Sequence, residues 1–123
     1  MSVSATEYLR HILEEAGYLA ECTAELTRDE FLDDRTLQRA FVRSLEIIGE
    51  ATKKLPPEWR RAHPCIDWRA MAGMRDRLIH GYFGVDYEIV WDVAATKAEE
   101  LRRSVERLIE DESLRAARDD GRA

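Results

Sequence analysis

The stretch DRTLQRAFVRSLEIIGEATKKLPP, residues 34–57, sets the fold class of this chain. Leu37, Phe41, Leu45, Ile48 and Leu55 recur at the spacing of one face of a helix, and Pro56-Pro57 cannot continue that helix. A polar stripe of Arg39, Arg43, Glu46 and Glu50 follows the same period. It is either a solvated, salt-bridged face or a face that turns Arg43 and Glu46 toward a functional cleft.

The period continues in both directions. On the N-terminal side, Tyr8, Ile12, Ala16, Leu19 and Leu26, flanked by Leu9, Leu13 and Ala20, predict a helix over about residues 4–26. TRDE (27–30) reads as the capped start of a short turn around Phe31 and Leu32. On the C-terminal side, PPEWRRAHP (56–64) is a connector with room for one helical turn, and its His63 is expected to be an exposed loop histidine. Asp67 then caps WRAMAGMRDRLIH (68–80), read as one helix, with Gly81 where a left-handed C-terminal cap belongs. Asp86 caps a last helix with a stripe of Ile89, Val93, Leu101, Val105 and Leu108 and with Val90, Ala94 and Ala98 beside it. The tail ESLRAARDDGRA (112–123) is polar and expected to fray. No strand-like alternation, repeat or linker interrupts this order. The expectation is an all-α bundle of four main helices in a single domain, residues 1–115, with a polar C-terminal tail, 116–123.

The chain has 123 residues, 45% hydrophobic and 36% charged, the balance of a globular domain. The start has early acidic residues and no apolar h-region, and no apolar run approaches the roughly 20 residues that span a bilayer. A cytoplasmic location without membrane association is the expectation. Cys22 and Cys65 lack metal-type spacing and are expected to be free, buried thiols. No Glu-x-x-His occurs, and His11-x-x-Glu14 is reversed and alone, so no metal site or cofactor is expected.

Net charge is −6, against a generic nucleic-acid-coating protein, but the charge is uneven. Residues 53–77 carry seven basic and three acidic groups, net +4, between segments of net −6 and −4. That basic segment is either a solvated helix–loop surface or a local phosphate site, and it leads into RDRLIHGYFGVDYEIVW, residues 75–91. His80 there can simply interact favourably with a helix C-terminus. Its neighbours suit more than that. Asp76, four residues earlier, shares its face and could orient the ring, Arg75 could reach a phosphate beside it, and Tyr82 follows a glycine. A base, a phosphate clamp and a phenol in one segment suit attack of a ribose 2′-OH on the adjacent phosphorus.

Arg75-x4-His80-x-Tyr82, with Asp76 after the arginine, resembles the R-x4-H-x-Y signature of the HEPN superfamily, and most closely its HepT-type toxins. RSLEIIGEATKKLP (43–56) and IDWRAMAGMRDRLIHGYFGVDYEIVWDV (66–93) resemble that family's two strongest blocks, in the right order. The resemblance implies an antiparallel bundle of four to five helices, homodimeric, with the motif in a cleft between subunits. It implies a metal-independent endoribonuclease that leaves a 2′,3′-cyclic phosphate, with Arg75 and His80 as the catalytic pair and Asp76 in support. It also implies a type VII-like toxin–antitoxin pair whose partner, a small nucleotidyltransferase antitoxin, transfers AMP to Tyr82. Asp76 stands where asparagine is the commoner companion. Arg43, Glu46 and Arg77 are candidates to line the cleft. The competing reading is a non-catalytic protein that binds nucleotide or RNA, or docks a nucleotidyltransferase through its helices.

Overall fold

The computed structural model of the chain describes residues 4–78 and 84–119, without the side chains of Arg75 and Asp119. The described residues form seven helices: α1 (Ala5–Glu25), α2 (Arg28–Leu32), α3 (Arg35–Lys54), α4 (Pro57–Ala62), α5 (Trp68–Ala72), α6 (Met74–Leu78) and α7 (Tyr87–Asp119). None is long and apolar enough to cross a membrane.

The helices begin where short polar side chains can take the unsatisfied first-turn N–H groups. Ser4, Asp34, Asp67 and Asp86 each accept from the backbone N–H three residues on. Thr27 and Glu30 form a reciprocal capping box at the start of α2. Prolines act at the next boundary: α3 stops at Lys54, before Pro56, and Pro57 takes the first position of α4.

Contacts between helices fix an antiparallel bundle. Glu15 meets Ser44 and Tyr18 meets Phe41, so α1 and α3 run in opposite directions. Gly17 lies against Arg102, and Phe31, beyond the end of α1, against Trp91, while His63 pairs with Glu112 and the Leu78 carbonyl with the Asp86 N–H, so α7 opposes both α1 and the 63–78 segment. α1 packs along α3 and α7, and α5 with α6 close the opposite side as a broken fourth helix. The core is apolar: Leu9, Ile12, Ala16, Phe31, Phe41, Val90 and Val105 are fully buried. Phe31 of α2 plugs one end, its ring centroid 4.7 Å from that of Phe41 and 5.5 Å from that of Trp91. Buried Gln38 donates to the carbonyls of Phe31 and Leu32, supplying partners that the short helix lacks at its end.

The outer face of this frame is electrostatic. Hydrogen bonds from Arg102 and Arg103 hold the Glu99 carboxyl below the usual carboxylate range, and Glu99 in turn raises the Arg102 guanidinium. Burial, followed by a hydrogen bond with Cys22, pushes the Tyr18 phenol up.

Five expectations need correction. WRAMAGMRDRLIH is not one helix: the chain breaks at Gly73, whose N–H closes α5 on Arg69. The carbonyls at the end of α5 press on α3 at Gly49, where an added Cβ would stand 3.3 Å from the Met71 oxygen. The expected stripes hold at Ile12, Ala16 and Leu19 of α1 and at Leu101, Val105 and Leu108 of α7, but in the first turns the flanking Leu9, Val90 and Ala94 are buried while Tyr8, Ile89 and Val93 are half-buried. The tail is helical through Asp119, and Glu112 at its start meets Trp59 and His63 of the connector. His63 is not an exposed loop histidine but stacks on Trp59, ring centroids 4.0 Å apart, and pairs with Glu112. Finally, both cysteines are free, but Cys22 is half-buried and Cys65 exposed rather than buried.

Candidate active site

The segment that carries the motif is held from below by two core side chains. Met74 and Leu78, four residues apart on α6, are 6% and 2% exposed. That spacing places Asp76 and Arg77 on the outer side, and both are exposed. Position 75 lies on the flank of α6 away from Arg77. His80, Gly81 and Tyr82 lie outside the described residues, as does the side chain of Arg75.

What precedes and follows the motif is firmly placed. The Asp86 N–H donates to the Leu78 carbonyl at 3.1 Å, so the two ends of the intervening segment meet at one backbone hydrogen bond. The Asp86 carboxylate accepts from the Ile89 N–H at 3.2 Å and starts α7. One residue therefore ties the end of α6 to the beginning of α7. Helix α2 braces the same turn through the Arg28–Glu88 ion pair, 3.4 Å, and the Phe31–Trp91 ring contact. The cap at Asp86 was legible in the sequence. Its tie to Leu78 was not, because a backbone hydrogen bond between residues far apart in sequence leaves no residue-type signature.

Beside α6 runs a groove of about 370 Å³, between α5–α6 and α7. Its floor is apolar, with Met71, Met74, Leu78, Val93 and Leu101, and its walls carry both signs of charge, Arg77 and Lys97 with Asp67 and Glu100. Lys97 was missed by the sequence reading, since a lone lysine on the polar side of a long helix carries no distinguishing signal. Arg77 thus lines a cleft beside the motif. Glu46 is half-buried on α3, three residues before the Gly49 that touches α5, on the side from which α3 meets α6. Arg43 is exposed one turn earlier on α3, farther from that contact. Among the described residues no three His, Cys, Asp or Glu side chains cluster as a metal site would require.

A helical bundle with an exposed basic segment at one corner and a grooved motif helix is a fold on which several activities could be built. Comparison with known proteins defines this one. Residues 12–108 match the family described as "Ribonuclease HepT-like". The chain belongs to the HepT-like ribonuclease family. It is 48% identical over 105 residues to a "Putative RNase" of Caldanaerobacter subterraneus subsp. tengcongensis, covering 85% of this chain and 94% of that one. It is 44% identical over 108 residues to a "Probable ribonuclease HepT" of Thermococcus cleftensis, covering 88% and 98%. A "Putative RNase" of Methanocaldococcus jannaschii is 43% identical over 104 residues, covering 85% and 86%. No solved structure matches the chain significantly.

Proposed function

We propose that this protein is a metal-independent endoribonuclease toxin whose catalytic pair is Arg75 and His80. The family match across residues 12–108 carries the reading, because it spans the whole Arg75-x4-His80-x-Tyr82 signature. In this mechanism the His80 imidazole takes the proton of a ribose 2′-OH. The O2′–phosphorus bond forms as the phosphorus–O5′ bond breaks, and the departing O5′ receives a proton. The products are a 2′,3′-cyclic phosphate and a free 5′-OH. The Arg75 guanidinium offsets the charge that builds on the phosphoryl oxygens, and Asp76 holds the imidazole in the tautomer that can accept the proton.

Two copies pair to complete the cleft. The groove beside α6, with the half-buried Met71 and Val93 on its floor, is the surface on which we place that contact. A small nucleotidyltransferase antitoxin neutralises the toxin by transferring AMP to Tyr82. The added phosphodiester anion then competes for Arg75, and the nucleoside obstructs RNA.

The test is cleavage of RNA by the purified, unmodified protein in excess EDTA. Cleavage should persist, RNA with a 2′-deoxy residue at the cut site should resist, and His80→Ala should lower the rate by about 10²–10⁴-fold while melting like the parent. Cleavage by folded His80→Ala at the parent rate would sink the assignment. A parent that binds RNA but never cuts it would mark a non-catalytic partner instead. Co-expression with the nucleotidyltransferase should add mass in whole AMP units, absent from Tyr82→Phe. Light scattering should return about twice the 14.3 kDa chain mass.

A further inference from the structure

Among the described residues Arg28, Arg102, Arg103 and Arg115 each face a carboxylate, whereas other cations of the long helices, such as Arg10, Arg39 and Arg107, have no ion pair. At the corner where α3 ends, α4 turns and α5 begins, Lys53, Lys54, Arg61 and Arg69 are exposed, and among the described residues none has an acidic partner. Arg60 is half-buried beside them, and its Nε is buried with no hydrogen-bond partner among the described residues. One of the few acids of this segment, Asp67, is occupied in capping α5.

The fold gathers these cations. Gly49 touches the end of α5, and Lys53 follows one turn later on the same face of α3. The Trp59 and Trp68 rings meet at 5.7 Å, and the Trp68 indole N–H donates to the His63 carbonyl at 2.7 Å. Those contacts hold α4, which carries Arg60 and Arg61, against the start of α5, which carries Arg69. Arg77, also exposed, lies on the motif helix that follows.

Cations in excess over the carboxylates Glu58 and Asp67 of this segment repel one another, and a chain of net charge −6 could have supplied more acids among them. The arrangement fits a polyanion that is bound in exchange for released counterions. A lipid surface would also require exposed apolar side chains beside the cations. The exposed large hydrophobics among the described residues are Tyr18 and Leu114, neither of which lies on α3–α6. We propose that this corner is a track for the phosphodiester backbone of RNA, engaging nucleotides beyond the one that is cut. The proposal rests on the ribonuclease reading of the motif segment and adds where the rest of the strand runs.

The experiment reads binding, so that it stands apart from catalysis. Fluorescence anisotropy of a long, single-stranded 2′-O-methyl RNA, which lacks the attacking hydroxyl, is followed through a salt series with the native protein. The same is done for Lys53→Gln/Lys54→Gln/Arg61→Gln/Arg69→Gln. A control set, Arg103→Gln/Arg107→Gln/Arg115→Gln/Arg118→Gln, removes equal charge from α7. Thermal melts check that both variants fold. The corner variant should bind about tenfold or more weakly, and its slope of log affinity against log salt should fall by about 0.7 for each phosphate that the protein no longer neutralises. The α7 set should bind within a few fold of the parent. Unchanged binding by the corner variant, equal weakening by the α7 set, or no binding by the native protein overturns the proposal. If His80-dependent cleavage then persists, the catalytic reading survives alone. If the corner binds RNA that is never cut, only the catalytic reading fails.

Discussion

The α1–α3–α7 frame and the α4–α6 corner are held together by different means. In the frame, long helices bury continuous apolar stripes, and residues such as Leu9, Phe41 and Val105 are wholly enclosed. The corner consists of helices of five or six residues, too short to persist by their own hydrogen bonds. No residue of α4 is buried. The corner's α5 and α6 reach the core through Trp68, Met74 and Leu78, and polar and aromatic ties add to that: Trp59 to His63 and Glu112, Trp68 to the His63 carbonyl, Asp86 to Leu78. The comparison teaches that the two regions draw on burial to different degrees. The frame encloses continuous stripes, while the segment with the cations and the motif sequence rests on a few core side chains and a few bonds.

The strongest way to test that division is to cut into the frame. Phe41→Ala removes a fully buried ring in contact with Phe31 and Tyr18, and should cost about 3–5 kcal/mol of global stability. Urea melts should show one lowered midpoint with an unchanged slope, and amide exchange should accelerate throughout the molecule. A loss confined to α4–α6 would mean that the two regions are less distinct than their packing implies.

Next in size is the connector clamp. Trp59→Ala deletes a half-buried indole that stacks on His63, meets Trp68 and donates to Glu112 at 3.2 Å. The expected cost is about 2 kcal/mol, below that of a core tryptophan because the side chain is not enclosed. The consequence should be local: amide protection should fall over α4 and over the last turns of α7, with the α1–α3 amides little changed. Uniform loss of protection would show that the clamp supports the frame as well.

The smallest effect on stability belongs to Asp86, and it sharpens the comparison most. Removing the cap in Asp86→Ala should cost about 1 kcal/mol, and Asp86→Asn, which keeps an acceptor, only a few tenths. Ribonuclease activity should respond out of proportion, because the side-chain cap fixes the backbone whose N–H, kept in both variants, bonds the Leu78 carbonyl beside the motif segment. A fall in kcat larger than any rise in KM for the alanine variant, restored in the asparagine variant, is the expected pattern. Equal, slight losses for both would make Asp86 a helix cap and nothing more.

Much of this protein was legible in its sequence because the signals are local. Apolar spacing within one helix, a polar cap three residues before an N–H, and prolines that bar helix continuation act over a few residues, so the long helices and their starts could be read directly. The motif was legible in the same way, as residue types at a spacing, and it marked the family. Tertiary structure decided what depends on a neighbour distant in sequence. WRAMAGMRDRLIH contains enough helical periodicity for one helix, yet packing against α3 at Gly49 accompanies two. His63 has no helical pattern around it, yet Trp59 and Glu112 make it a structural clasp, and the same clasp meets the start of the polar tail, which is helical. In the first turns of α1 and α7, neighbouring helices enclose Leu9 and Val90 rather than Tyr8 and Ile89, because packing on two sides selects among adjacent apolar residues. The groove beside α6, and the gathering of Lys53, Arg61 and Arg69 at one corner, exist only when those helices are brought together, since no residue states in advance which distant surface it will face.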